Sequence, residues 1–117
     1  MIIGIFHSGS GCGNQLFRYV TARVLALDKG YEFAMAYPEN FKGRDFMHLH
    51  MGKLHDTPGF YHFEEKKVLE NGVDIRGYDP EINFVEDNTV IDGEFQDERY
   101  WKHRMSEVDK WLRVEPL

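Results

Sequence analysis

Residues 8–15, Ser8-Gly9-Ser10-Gly11-Cys12-Gly13-Asn14-Gln15, combine a glycine-rich turn with a thiol and two carboxamides. Bare backbone amides at such a turn, followed by a helix, suit a phosphate or another anion. The exact glycine pattern narrows the ligand. In a G-x-G-x-x-G fingerprint the third glycine would have to stand at Asn14 or Leu16, and no Walker lysine follows, so neither a dinucleotide fold nor a P-loop is expected. A second polar cluster is Asp92-Gly93-Glu94, within a run from Asp79 to Glu98 that holds eight acids and no Lys or Arg. Paired carboxylates there would serve general acid and base work only if two of them shared one cleft in unequal environments. Most are expected to be solvated; Asp92 and Glu94 stand apart because they close an apparent strand. His48, His50, His55 and His62, with Asp45 and Asp56 nearby, lack the i, i+4 helical spacing and the cysteines of a zinc site. They read as surface or loop histidines, and no metal is expected.

The elements that must hold these residues follow from periodicity. Ile2-Ile3-Gly4-Ile5-Phe6 is apolar enough for a buried strand over residues 2–7. Leu16, Val20, Val24 and Leu27 recur at helical spacing, which predicts a helix from Asn14 as N-cap to Lys29, with Gly30 as the left-handed residue that ends it. Ala22 and Ala26 permit close packing on a sheet. Residues 31–37 predict a second strand, stopped by Pro38, and so one βαβ unit. Residues 38–75 are broken by Pro38, Gly43, Gly52, Pro58 and Gly59. Within them Phe60-Tyr61-His62-Phe63 is β-prone, and Asn71-Gly72 between short β-prone flanks is a hairpin signal. Residues 89–95 predict a further strand. Asp97 then caps a predicted helix to Val114, with Trp101, Met105, Val108 and Leu112 on one face, before Glu115-Pro116 stops it.

Composition bounds the partners. The 117 residues amount to one domain able to bury a core. Net charge is −6, and residues 1–37 carry three bases and two acids, so the remainder holds −7. That distribution argues against nucleic acid, which needs clustered cations. No apolar run reaches the roughly 18 residues of a membrane span, and the N-terminal apolar run is too short for a signal peptide. One cysteine excludes an internal disulfide and suits a reducing compartment, so a cytoplasmic location is expected.

Two resemblances bear on function. Cys12, five residues and Arg18 reproduce the cysteine–x5–arginine spacing of protein tyrosine phosphatases, and Asp79-Pro80 is similar to the general-acid dipeptide of the low-molecular-weight class. Against this, Tyr19 stands where Ser or Thr is expected, Cys12 is the fifth residue after the strand and does not directly follow it, and Arg18 would lie in the second turn of the helix. The second covers more of the chain. Gly11-Cys12-Gly13-Asn14-Gln15-Leu16-Phe17-Arg18-Tyr19, with Ala22-Arg23 and Leu25-Ala26-Leu27, resembles the G-x-G-N-Q-hydrophobic-F-x-Y signature of α-1,2-fucosyltransferases, glycosyltransferase family 11 of the wider fucosyltransferase superfamily. Thr89-Val90-Ile91-Asp92-Gly93-Glu94-Phe95-Gln96, with Tyr100-Trp101, is similar to a second segment of that family in the same order. Glu115-Pro116-Leu117 resembles the passage into its second half. The departures are Glu94 for a tyrosine, Cys12 for a larger residue and Arg18 for a common glutamine.

The resemblance implies a Rossmann-like three-layer α/β/α domain, residues 1–117, with a mostly parallel sheet of four or five strands. It would be the N-terminal, acceptor-side half of an inverting, metal-independent enzyme that moves fucose from GDP-fucose to a glycan hydroxyl. No counterpart of the second half's histidine–arginine nucleotide motif is present, so the 117 residues alone are expected to be inactive. Gly11, Gly13, Asn14 and Gln15 would face the donor or shape its loop, and Asp92 and Glu94 would lie on the acceptor side. The alternative from another class is a stand-alone binding module that homodimerises through the exposed cleft face.

Overall fold

The computed structural model describes residues 1–54, 60–66, 69–71, 73–74 and 77–113. His55, Asp56, Pro58, Gly59, Gly72, Val114 and the Glu115-Pro116-Leu117 stop lie outside the described residues.

The elements in chain order are β1 (Ile2–Ile5), α1 (Cys12–Lys29), β2 (Phe33–Ala36), β3 (Tyr61–Glu64), β4 (Leu69–Glu70), β5 (Val73–Asp74), β6 (Thr89–Asp92) and α2 (Met105–Trp111). Four strands make one parallel sheet in the order β2-β1-β6-β3, and β4 pairs antiparallel with β5. This is an α/β domain compatible with a Rossmann-like fold, with β1 and β6 as the central pair.

Alternation along β1 divides the sheet into two faces. Ile2 and Gly4 turn to α1, where Gly4 has a structural duty: a Cβ there would come within 2.6 Å of Met35 Sδ and 2.9 Å of Ala22 Cβ. The absence of a side chain lets the helix settle onto the strand. The larger core lies on this face and joins Ile2, Phe6, Tyr19, Val24, Met35, Phe41, Ile91 and Val108. Phe6 stacks on Phe41 with centroids 5.3 Å apart. Met1, Ile3 and Ala34 form a smaller cluster on the other face, which no helical residue among those described joins.

The sequence places α1 well at its end and poorly at its start. Gly30 takes φ 70°, and Tyr31 N donates back to Ala26 O at 2.9 Å, as expected of a left-handed helix end. The N-cap, however, is Gly11 and not Asn14; its backbone is extended, and no side chain caps the helix. Asn14 is the third helical residue. The predicted strand over 31–37 is shorter because Tyr37 turns left-handed at φ 55°, and the strand over 89–95 ends at Asp92 because Phe95 does the same at φ 49°.

The predicted helix from Asp97 is also broken up. Asp97 does cap, with its carboxylate accepting from Arg99 N at 2.9 Å, but it opens a 3₁₀ turn over Glu98–Tyr100. Trp101, at φ −142° and ψ −6°, interrupts the helical backbone. A second 3₁₀ turn, Lys102–Arg104, leads into the short α2.

Candidate functional site

The carboxyl ends of all four parallel strands reach one edge of the sheet, the place where open α/β folds bind ligands. Two connections leave the central pair side by side: the loop His7–Gly11 after β1 and the turn Gly93–Gln96 after β6.

The first is open. Ser10 N donates to His7 O at 3.2 Å, and the first helical bond runs from Gln15 N to Gly11 O at 3.0 Å. The N–H groups of Cys12, Gly13 and Asn14 therefore precede any intrahelical acceptor. No acidic residue occupies the first turn of α1. A Cβ built on Gly9, Gly11 or Gly13 would meet nothing within 4 Å. Packing does not demand those glycines; they leave the positive helix end uncovered.

Gln15 holds this loop from beneath. Its side chain is fully buried, and its Nε2 donates to His7 O at 3.2 Å and Asn40 O at 2.7 Å, while its Oε1 accepts from Lys42 N at 2.9 Å. Of the two roles open to Gln15 in the sequence, shaping the loop is the one this geometry serves. Asn14 is exposed, and its Oδ1 accepts from Gln96 Nε2 at 2.9 Å, a contact between residues 82 apart in sequence.

Beside it lies a charged cluster. Arg18 Nη1 donates to Asp92 Oδ1 at 2.6 Å, and His7 Nε2 lies 3.1 Å from the same oxygen. Burial pushes the Asp92 carboxyl up, but the hydrogen bonds from Arg18 and His7 outweigh it and hold it below the usual carboxylate value. An ionised Asp92 can only accept here, so His7 Nε2 is the donor of this bond and Nδ1 of the half-exposed ring takes no part in it. Arg18 is thus committed to Asp92 and does not arch over Cys12. Cys12 is half-buried against the Phe41 cluster, beside Gly43.

The second connection is tied down. Glu65 Oε1 accepts from Glu94 N at 3.1 Å and Phe95 N at 3.3 Å, and Glu65 Oε2 accepts the Tyr100 hydroxyl at 2.6 Å. That hydroxyl in turn accepts from Asp79 N at 2.7 Å. Burial first, then the bond to Glu65, pushes the Tyr100 phenol far above the usual tyrosine range. Asp79 is buried, and its carboxylate accepts from Lys66 N and Glu81 N at 2.9 and 3.1 Å, so it serves the turn and not as a free acid. The Glu94 side chain is exposed at the rim.

From Gly13 an apolar groove of about 310 Å³ runs between α1 and α2. Phe17 forms one wall, and Trp101, Met105, Val108 and Leu112, the face expected from their spacing, form the other. Among the described residues no three His, Cys, Asp or Glu side chains converge as metal ligands, and no helix is long and apolar enough to cross a membrane. His50 instead lies beside Phe33, with ring centroids 6.3 Å apart.

The structure therefore brings Gly11, Gly13, Asn14, Arg18 and Asp92 together at one edge, with Gln15 below and Glu94 at the rim. His7 and Gln96, which the sequence does not single out as candidates, join them through Asp92 and Asn14. The available signal for His7 was a polar residue closing an apolar strand that leads into a glycine-rich loop. Compared with known proteins, the chain matches no family model, no curated protein and no solved structure.

Proposed function

We propose that the chain is the N-terminal half of a fucosyltransferase-like glycosyltransferase and that its sheet edge forms one wall of the transfer site. One observation carries this reading: the two stretches that resemble the family, far apart in sequence, meet there through the Asn14–Gln96 and Arg18–Asp92 contacts. The uncapped start of α1, with Gly11 and Gly13 bare and Asn14 beside them, suits the diphosphate of GDP-fucose. Its leaving charge would be stabilised by amides and the helix end without a metal.

In an inverting transfer the acceptor oxygen forms its bond to the fucose anomeric carbon as the bond from that carbon to the diphosphate breaks. The hydroxyl proton must leave at the same time. In this reading His7, joined through Nε2 to the ionised Asp92, takes it on Nδ1, and Arg18 fixes Asp92 in turn. Asp92 is then a positioning residue and Glu94 an outer acceptor contact. The guanosine contacts belong to the second half, so the isolated chain binds donor weakly and does not turn it over.

Calorimetric titration of the chain with GDP-fucose tests this. Saturable binding is expected, weakened about tenfold in Asn14→Ala by the loss of one hydrogen bond. No binding at millimolar donor, or binding indifferent to that change, overturns the reading; so does measurable transfer by the chain alone.

A further inference from the structure

The two edges of the parallel sheet differ. Beyond β2 the chain covers its own edge: Met35 N donates to Met51 O at 2.8 Å, and Ala34 bridges Gly52 in the antiparallel sense. Beyond β3 no strand lies among the described residues. Tyr61 N donates to Asn88 O and Glu65 N to Asp92 O, both at 2.8 Å, so these positions of β3 turn their backbone to β6. The two-residue period then turns the N–H and C=O groups of His62 and Glu64 outward. Both side chains are exposed, as is that of Tyr61. The next amide on the outward side, Lys66 N, is already taken by Asp79 Oδ2 at 2.9 Å.

Open backbone groups on an edge strand are a template for another strand, and the residues of β3 decide which strand fits. A two-fold axis at Phe63 is the antiparallel register that uses both His62 and Glu64 of each copy. His62 of one copy then exchanges both backbone bonds with Glu64 of the other, and the pairing repeats by symmetry. Each pair sets an imidazole N–H opposite a carboxylate, an attractive cross-strand combination. An axis at Glu64 would oppose two carboxylates, and an axis at His62 would leave both copies of Glu64 unused. On the α1 face, Phe63 packs against the larger core and would meet its own copy across the axis, where side chains approach closely. The strand is therefore complementary to itself. Pairing consumes the open edge, so the assembly closes at two copies.

We propose that β3 is a self-association edge, at which two copies of the chain pair antiparallel about Phe63 and continue the sheet. The proposal does not rest on the transferase reading and does not use the start of α1. One four-residue strand from each copy makes a small, weak interface. Sedimentation velocity and amide hydrogen exchange, followed up to about 1 mM chain, test it. A concentration-dependent dimer is expected, with exchange at the His62 and Glu64 amides slowing as it fills. His62→Pro removes an outward donor, leaves the bonds to β6 in place and should abolish the dimer. His62→Glu opposes like charges twice by symmetry and should weaken association about tenfold. Adding Glu64→Lys to His62→Glu should restore it. A chain that stays monomeric throughout, or a dimer indifferent to both single changes, overturns the proposal. Failure of the double variant to restore pairing, unslowed exchange at His62 and Glu64, or growth beyond two copies overturns it as well.

Discussion

The two connections that leave the central strands side by side use their polar groups in opposite ways. The turn after β6 spends them internally: one carboxylate, Glu65, ties two backbone amides and the Tyr100 hydroxyl, which holds Asp79 N in turn. The loop after β1 is braced from below by Gln15 and at its start by the His7–Asp92 contact, while the first amides of α1 have no intrahelical acceptor and no side-chain cap. The contrast repeats within one dipeptide. Gln15 is buried with its amide fully used, whereas Asn14 is exposed and joined to one side chain. Satisfied polar groups build the scaffold; open ones at a strand's carboxyl end lie where open α/β folds bind ligands.

The comparison breaks most readily at Glu65. Glu65→Ala strands the amides of Glu94 and Phe95 and the Tyr100 hydroxyl, and should cost about 3 kcal/mol in a denaturant titration. A loss below about 1 kcal/mol would mean that the turn after β6 is not braced. Next in size is Gln15→Ala, expected to cost roughly 2 kcal/mol by leaving Lys42 N and the loop carbonyls unpaired. Asn14→Ala should cost less than about 0.5 kcal/mol, as exposed positions do. A cap at Asn14, which the sequence suggests, would instead cost about 1 kcal/mol. Equal losses at positions 14 and 15 would erase the distinction between them.

That misplaced cap shows what the sequence makes legible. The strand–helix–strand unit, the end of α1 at Gly30 and the start of the strand at Thr89 follow from apolar runs, periodicity and one left-handed glycine. The start of α1 does not, because Asn14 has the side chain of a cap while Gly11 has only the backbone for it. The spacing of Trp101, Met105, Val108 and Leu112 does predict a shared wall, but it cannot show that Trp101 leaves helical dihedrals and splits the helix into turns. The Glu65–Tyr100–Asp79 network joins three residues distant in sequence, and no local pattern announces it. The candidate cluster at the sheet edge is legible in part: Asn14 and Asp92 stand out by motif and strand end, whereas His7 has only its place at the end of an apolar strand and no motif.

A smaller effect sharpens the charged side of the comparison. The Asp92 carboxyl lies below its unfolded value of 3.8, so its pairing with Arg18 and His7 stabilises the fold above that pH. The contribution is lost as pH falls from about 4 through the folded value. Asp92→Asn should therefore flatten the stability profile below about pH 4. Because the carboxylate is 38% exposed, added salt should shrink the difference. An unchanged acid limb would mean that Asp92 is solvated and leaves His7 unoriented.

Under the proposed function, the open start of α1 would receive the diphosphate of GDP-fucose beside His7. The most direct test is an NMR titration of the chain with GDP-fucose, following the backbone amides of Cys12, Gly13 and Asn14 and the ring of His7. Saturable shifts are expected at those three amides and at His7, with the amides of Glu94 and Phe95, already bound to Glu65, nearly still. Shifts that spare Cys12, Gly13 and Asn14, or that fall mainly on Glu94 and Phe95, would contradict it.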